Sequence, residues 1–133
     1  MLPEPYRLHH RADFSRTVRR GQRIGRRDLV VHVLMHGYDG IVDVNRRHGD
    51  PAETLVRVGG PRFGLIVSKA VGNAVIRHRV ARRLRHMCGQ LIPELPADAD
   101  IVVRALPGAA DASSVELLRQ LRGAVYKLGV GSA

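Results

Sequence analysis

The stretch that decides the fold runs from Arg62 to Arg85 and reads RFGLIVSKAVGNAVIRHRVARRLR. Its first part, Phe63 to Lys69, is rich in apolar and β-branched residues, which predicts a strand. Gly72 then permits a tight turn, and Asn73 is a residue type that caps the first turn of a helix. The periodicity that follows predicts a helix over Ala74 to Leu91.

This helix separates its apolar and basic residues onto two faces. Its apolar residues recur at intervals of three or four positions and form one stripe: Ile76, Val80, Leu84, Met87 and Leu91. The basic residues lie opposite this stripe or at its edges: Arg77, His78, Arg79, Arg82, Arg83, Arg85 and His86. No acid occurs between Thr54 and Pro93, although an exposed helix face normally mixes both signs. This pattern favours a nucleic-acid surface over a face that only keeps the protein soluble.

The composition indicates one domain with a polyanionic partner. The 133 residues fit a single core, and 22 basic against 12 acidic residues leave a formal charge of +10. All the basic residues except Lys69 and Lys127 are arginine, whose planar guanidinium binds phosphate through two donors. No apolar run approaches the roughly 20 residues that cross a membrane. We therefore expect a cytoplasmic protein with no membrane partner.

The positive charge is concentrated in two blocks. Residues 1–27 carry a net charge of +6 and residues 62–93 carry +7, whereas 28–61 carry −2 and 94–133 carry −1. A fold that joined the two basic blocks would make one continuous basic face. Cys88 is the only cysteine, so the chain has no internal disulfide or thiolate cluster, and we expect a buried or half-buried thiol.

The remaining segments predict elements on both sides of the central motif. Ala12 to Arg20 predicts a first helix that Gly21 ends, and Leu29 to Met35 predicts a strand. Residues 36–60 predict a long loop, with a short strand at Leu55 to Val58.

Two more elements follow the central motif. Asp100 to Leu106 predicts a strand, and the capping-box pattern from Ser113 to Glu116 opens a last helix. Its expected apolar face is Val115, Leu118, Leu121, Val125 and Leu128. The order is αβββαβα, which predicts an α+β fold, a two-layer α/β sandwich with helices packed on a small mixed sheet.

Residues 62–85 closely resemble the signature of the bacterial ribonuclease P protein subunit. Leu8 to Gly21, Arg27 to Leu34 and Asp100 to Ala105 resemble that family's first helix, first strand and later strand. The resemblance implies one domain over 1–133, with a flexible arm at about 1–8, the 36–60 loop and a short flexible tail. It also implies a left-handed β-α-β crossover, in the fold type of ribosomal protein S5 domain 2.

The family resemblance implies that the chain joins a catalytic RNA, one protein per RNA, and helps to remove the 5′ leader from precursor tRNA. The residues expected to face the catalytic RNA are Lys69, Asn73, Arg77, His78, Arg79, Arg82, Arg83 and Arg85. The expected leader-binding cleft contains Phe14, Arg16, Val18 and His32. His78 replaces the family's usual Asn, Ala70 and Ala81 stand at positions that are often basic, and Val18 and His32 stand where aromatic residues are common. We therefore expect weaker stacking in the cleft, with arginine substituting for rings.

Catalysis by the protein itself is not expected. The seven histidines lack the spacing of a helical metal site, and the basic helix has none of the carboxylates that hold Mg²⁺ in protein nucleases. The resemblance therefore assigns the chemistry and the Mg²⁺ mainly to the RNA. Two alternatives stay open: a structural RNA-binding protein of the ribosome-associated type, and a protein-only metal nuclease.

Overall fold

The structure, a computed structural model, describes residues 2, 6–36 and 60–129. Within those ranges the elements form the predicted α+β fold in the order αβββαβα, although the first of the strands was not among those predicted. They are α1 (Arg11–Arg20), β1 (Gln22–Gly25), β2 (Leu29–Met35), β3 (Arg62–Ile66), α2 (Ala74–Leu91), β4 (Ala99–Ala105) and α3 (Ser114–Lys127). Short 3-10 turns at Ile92–Glu94 and Pro107–Ala110 flank β4.

The four strands form one mixed sheet in the order β1-β2-β4-β3. β2 pairs antiparallel with both β1 and β4, while β3 pairs parallel with β4. α2 connects the two parallel strands, as a parallel pair requires a crossover. The predicted β-α-β unit is confirmed, and its left-handedness stays a prediction.

One strand, β1, was not predicted from the sequence. Gln22, Arg23 and Gly25 of β1 are exposed and Ile24 is its one apolar side chain, so β1 lacks the apolar pattern of a strand. It forms because Gly21 lets the chain turn directly from α1 onto β2. A Cβ atom at Gly21 would lie 2.5 Å from the carbonyl oxygens of Thr17 and Val33. The predicted strand at Leu55 to Val58 lies outside the described residues.

Described residues of the segment predicted as a flexible arm, at about 1–8, contact the sheet, and the flexibility of the arm as a whole stays a prediction. Leu2 and Leu8 are buried, and the Leu8 amide donates to the carbonyl of Phe63 at 2.8 Å. Arg7 also pairs with Phe63 in an isolated parallel bridge. Arg7 and Leu8 therefore cover part of the edge of β3, where unpaired backbone groups would otherwise meet solvent.

The main core lies between one face of the sheet and the two helices α2 and α3. Val31, Ile101 and Phe63 contribute from the sheet, and the predicted stripe of α2 contributes Val80, Leu84, Met87 and Leu91, all buried. Ile76 is only partly buried. Cys88 is also fully buried, as predicted, and burial raises the pKa of its thiol. The predicted two-layer packing is confirmed for this core.

α3 begins as predicted but turns a different face inward. The Ser113 hydroxyl oxygen accepts from the Glu116 amide at 3.1 Å, which is the capping interaction. Val115 is 74% exposed, however, whereas Leu117 is fully buried. The predicted apolar face was therefore wrong at Val115. Gln120 explains the rotation, because its side chain bonds the amide and the carboxylate of buried Asp28 and faces inward with Leu117.

α1 packs on the opposite face of the sheet. The ring of Phe14 lies against Gly64, where a Cβ atom would collide with it. Because side chains alternate along a strand, Gly64 faces away from the core that contains Phe63. The two basic helices α1 and α2 therefore lie on opposite faces of the sheet. A single face that joins both basic blocks through their helices does not form.

Candidate nucleic-acid interface

The outer surface of α2 presents the basic residues that the sequence placed there. His78, Arg79, Arg82 and His86 are exposed, and Arg85 is half-buried. The buried stripe on the other side of the helix holds this surface outward. None of the three arginines has a carboxylate partner within residues 6–36 and 60–129. Their charges are available to an external polyanion.

The edges of α2 are tied to neighbouring backbone. Arg77 donates from Nε to the carbonyl of Gly72 at 3.2 Å, and Arg83 donates from Nη1 to the carbonyl of Ala112 at 3.2 Å. Both side chains are half-buried. These hydrogen bonds hold the two guanidinium groups beside the exposed arginines instead of leaving them free to move into solvent.

Two more of the residues predicted to face RNA lie in the turn before α2. Asn73 accepts through Oδ1 from the Ile76 amide at 3.0 Å, which confirms its predicted role as the N-cap. Lys69 is exposed one turn earlier, after β3. The turn therefore places a lysine beside the first turn of α2, where unpaired backbone amides also favour anions.

The residues of the predicted leader-binding cleft lie on the opposite face of the sheet, where α1 packs. Phe14 and Val18 are half-buried on the inner side of α1 and form its wall. His32 from β2 is only 4% exposed and lies in the floor, on the same sheet face as Gly64. These three residues therefore lie on α1 and on the sheet face that α1 covers, and their role in leader binding stays a prediction. Arg16 does not join them, because it lines a groove on the outer side of α1 and donates to Asp13 at 3.1 Å.

Two arginines that were not predicted from the sequence flank His32. Arg23 is its direct partner on β1, and Arg104 lies on the same face, opposite Val30. Burial first, then the charges of Arg104 and Arg23, lower the pKa of His32. Neither ring nitrogen of His32 has a hydrogen-bond partner among the described residues. His32 is therefore a buried, neutral imidazole between two cations, and exposed Arg23 and half-buried Arg104 are the groups that an anion could reach.

A signal for one of these arginines was present in the sequence. Arg104 is the only basic residue in the apolar run of β4, and strand alternation places it on the same face as Val102. Nothing in the sequence pointed to Arg23, because its place on the sheet depends on the pairing of β1 with β2.

The acidic residues near the cleft are already neutralised. Asp100 is fully buried and receives two hydrogen bonds from Arg62, at 3.0 and 2.9 Å. Nε2 of His36 lies 2.7 Å from the same carboxylate, and Asp13 lies 3.8 Å from Arg62. This cluster joins α1, β3, β4 and the end of β2. Its carboxylates therefore add little repulsion toward a phosphate in the cleft.

The described ranges contain neither a metal-binding cluster nor a membrane-spanning helix. No group of three or more His, Cys, Asp or Glu side chains within them is placed to hold a metal ion. No described helix is both long enough and apolar enough to cross a membrane.

The sequence model of a family described as Ribonuclease P matches residues 2–129 of the chain. The chain belongs to the bacterial ribonuclease P protein family. It is 74% identical over 132 residues to the ribonuclease P protein component of Nocardia farcinica, covering 98% of this chain and 85% of that one. It is also 44% identical to the ribonuclease P protein component of Corynebacterium diphtheriae, covering 96% of this chain and 97% of that one. The resemblance seen in residues 62–85 is thereby confirmed.

Solved structures of ribonuclease P proteins have the same fold. The protein from Staphylococcus aureus superposes with a TM-score of 0.72 at 25% identity, covering 96% of this chain and 98% of that one. The protein from Thermotoga maritima superposes with a TM-score of 0.63 at 19% identity, covering 86% and 90%. The likeness to the Thermotoga protein concerns the fold alone.

Proposed function

We propose that the chain is the protein subunit of the ribonuclease P ribonucleoprotein, binding its catalytic RNA and the 5′ leader of precursor tRNA. In this role it assists the Mg²⁺-dependent endonucleolytic removal of the leader, one protein per RNA, in the cytoplasm. The observation that carries the proposal is the acid-free basic surface of α2, set within the family's motif. The cleft beside α1 adds a second surface, on the opposite face of the sheet.

α2 is the proposed surface for the catalytic RNA. Arg79, Arg82 and Arg85 repel one another on one helix, and this cost is relieved when phosphates bind. Arg77 and Arg83 are held at the edges by backbone carbonyls, so they lose less side-chain entropy on binding. His78 is exposed among them and supplies a hydrogen-bonding ring where the family usually has Asn.

The cleft is the proposed site of the single-stranded leader. Phe14 offers a ring on which a base stacks, and Arg23 and Arg104 offer charge to the phosphates. His32 is buried beside them and its pKa is lowered, so it stays neutral and does not repel the two arginines. Since Val18 and His32 stand where aromatic residues are common in the family, Arg23 and Arg104 are proposed to compensate for the weaker stacking.

The protein supplies binding and positioning, and no catalytic residue is assigned to it. We propose that the Mg²⁺ ions are held mainly by the RNA, because the described residues offer no cluster of carboxylates as ligands. Neutralising phosphates near the reacting bond lets RNA helices approach with fewer bound cations. The expected consequence is a lower Mg²⁺ requirement for the holoenzyme than for the RNA alone.

A processing assay tests this function. The protein is mixed with its matching catalytic RNA and a precursor tRNA at a Mg²⁺ concentration at which the RNA alone is nearly inactive. Removal of the leader should then be restored by the wild-type protein. RNA binding without stimulation would instead favour a structural, ribosome-associated role, and cleavage in the absence of the RNA subunit would favour a protein-only nuclease.

A further inference from the structure

The outer face of α1 forms a second basic surface that neither the α2 surface nor the cleft includes. A groove of about 450 Å³ runs along it, lined by Arg11, Ser15, Arg16, Arg19 and Arg20 together with Ala12. Arg11, Ser15, Arg19 and Arg20 are exposed. The inner face of the same helix carries Phe14 and Val18 and forms the wall of the cleft.

The charge on this face is not balanced by the fold. Asp13 is the only acid of α1, and its carboxylate is already 3.1 Å from Arg16 and 3.8 Å from Arg62. Arg11, Arg19 and Arg20 have no carboxylate partner in the ranges that the structure covers. The surface therefore keeps a surplus of positive charge in the free protein.

Helix stability does not account for all of these arginines. Arg19 and Arg20 lie in the last turn, where positive charge interacts favourably with the helix dipole. Arg11 is the first residue of α1, where the same dipole disfavours a cation. Its position is explained better by an anionic partner than by the stability of the helix.

The spacing of the groove fits an extended backbone. Arg11, Ser15 and Arg19 follow one another at intervals of four residues, so they lie along one side of the helix. At 1.5 Å per residue they span about 12 Å, too long for a single phosphate. A chain of phosphates that runs along the helix axis would meet both guanidinium groups and the hydroxyl.

The position of α1 identifies the RNA segment. The α2 surface faces away from α1 across the sheet, so the RNA bound there does not meet this groove directly. The residues of the predicted cleft, in contrast, lie on the inner side of α1 and on the sheet beneath it. We propose that the part of the leader that extends beyond the cleft lies along the outer face of α1, with its phosphates bound by Arg11 and Arg19. This inference rests on the proposed binding of the leader in the cleft.

A leader-length series tests the proposal in the reconstituted holoenzyme. The variant R11Q/R19Q removes the two charges while keeping side chains of similar helix propensity. The control R119Q/K127Q removes the same charge from exposed positions of α3. Dissociation constants are measured for precursors whose leaders end inside the cleft and for precursors with longer leaders, at several salt concentrations. Circular dichroism confirms that each variant is folded.

R11Q/R19Q should raise the dissociation constant for long-leader precursors by about threefold for each phosphate that is no longer neutralised, which is roughly tenfold for both. The salt dependence of that binding should also decrease. Affinity for short-leader precursors and for the catalytic RNA should be unchanged, as should all values for the control variant. Equal affinity of variant and wild type for long leaders would overturn the inference. An equal loss of affinity for both leader lengths would also overturn the inference, as would weaker assembly of the variant with the catalytic RNA. Failure of the wild-type holoenzyme to bind any precursor would instead contradict the proposed function.

Discussion

The ring of Phe14 on α1 occupies the space that a side chain at Gly64 on β3 would fill. A Cβ atom at position 64 would lie 3.1 Å from Cε2 of Phe14 and closer still to Cε1 and Cζ. The absence of a side chain at this one position lets α1 lie close to the sheet. The distance between the wall and the floor of the cleft therefore depends on this glycine.

Gly64→Ala should push α1 away from the sheet and destabilise the fold by about 1 to 3 kcal/mol, the usual cost of overpacking. The shift of Phe14 should also weaken leader binding. Chemical denaturation measures the first effect, and precursor affinity measures the second. Gly25→Ala is the matched control, since no atom lies within 4 Å of an added Cβ there. Equal stability of the two variants would contradict the close packing of Phe14.

Replacing Arg79, Arg82 and Arg85 with alanine should leave the fold intact or slightly more stable, because like charges are removed from one helix face. Binding to the catalytic RNA should weaken, and its salt slope should fall by about 1 for each phosphate that the variant no longer binds. The matched variant removes Arg119, Arg122 and Lys127 from α3. A salt slope that falls as much in this control would place the RNA away from α2.

The lowered pKa of His32 predicts a contribution to stability that depends on pH. The unfolded chain binds a proton near the ordinary value of 6.5, while the folded chain binds it only at lower pH. Stability from this group is therefore present above pH 6.5 and is lost as the pH falls toward the folded-state pKa. His32→Gln should reduce the decline of the unfolding free energy in that window. The measurement is denaturation of both proteins across the pH range, and parallel curves would argue against the lowered pKa.

Asp100→Asn should destabilise the protein by about 2 to 4 kcal/mol. The change removes the carboxylate that Arg62 and His36 share. The expected loss of unfolding free energy is smaller than for breaking a fully buried ion pair, because the Arg62 side chain is 26% exposed. Asp111→Asn, at an exposed position, is the control and should change stability little. Thermal unfolding compares the two. Loss of α1 packing should accompany the first change, since Arg62 also lies near Asp13.

The central motif was readable because its signals are local. Asn73 caps the helix that it precedes, and Val80, Leu84, Met87 and Leu91 share one face through helical periodicity alone. The same reasoning failed at α3, where Val115 and Leu117 are both apolar and periodicity could not choose between them. A hydrogen bond across 92 residues, from Gln120 to Asp28, set the rotation of that helix.

The predicted cleft also combines residues that the sequence could indicate with residues that it could not. Phe14, Val18 and His32 came from the family resemblance, and the structure places them on α1 and on the sheet face that α1 covers. Arg23 and Arg104 could not be found in the same way, because they become neighbours of His32 only through the pairing of β1 and β4 with β2. The neighbours of a residue on distant strands depend on register, and no short stretch of sequence contains that information.

The sequence by itself determined the family, all three helices, three of the four strands, the basic surface of α2 and its apolar stripe, since each rests on local spacing or on a long motif. Only the tertiary structure decided that α1 and α2 lie on opposite faces of the sheet. It also decided that His32 lies between two arginines and that Asp13 and Asp100 are neutralised by Arg62. These relationships join residues far apart in the chain, and they arise from strand pairing and from the burial of apolar surface on both faces of one sheet.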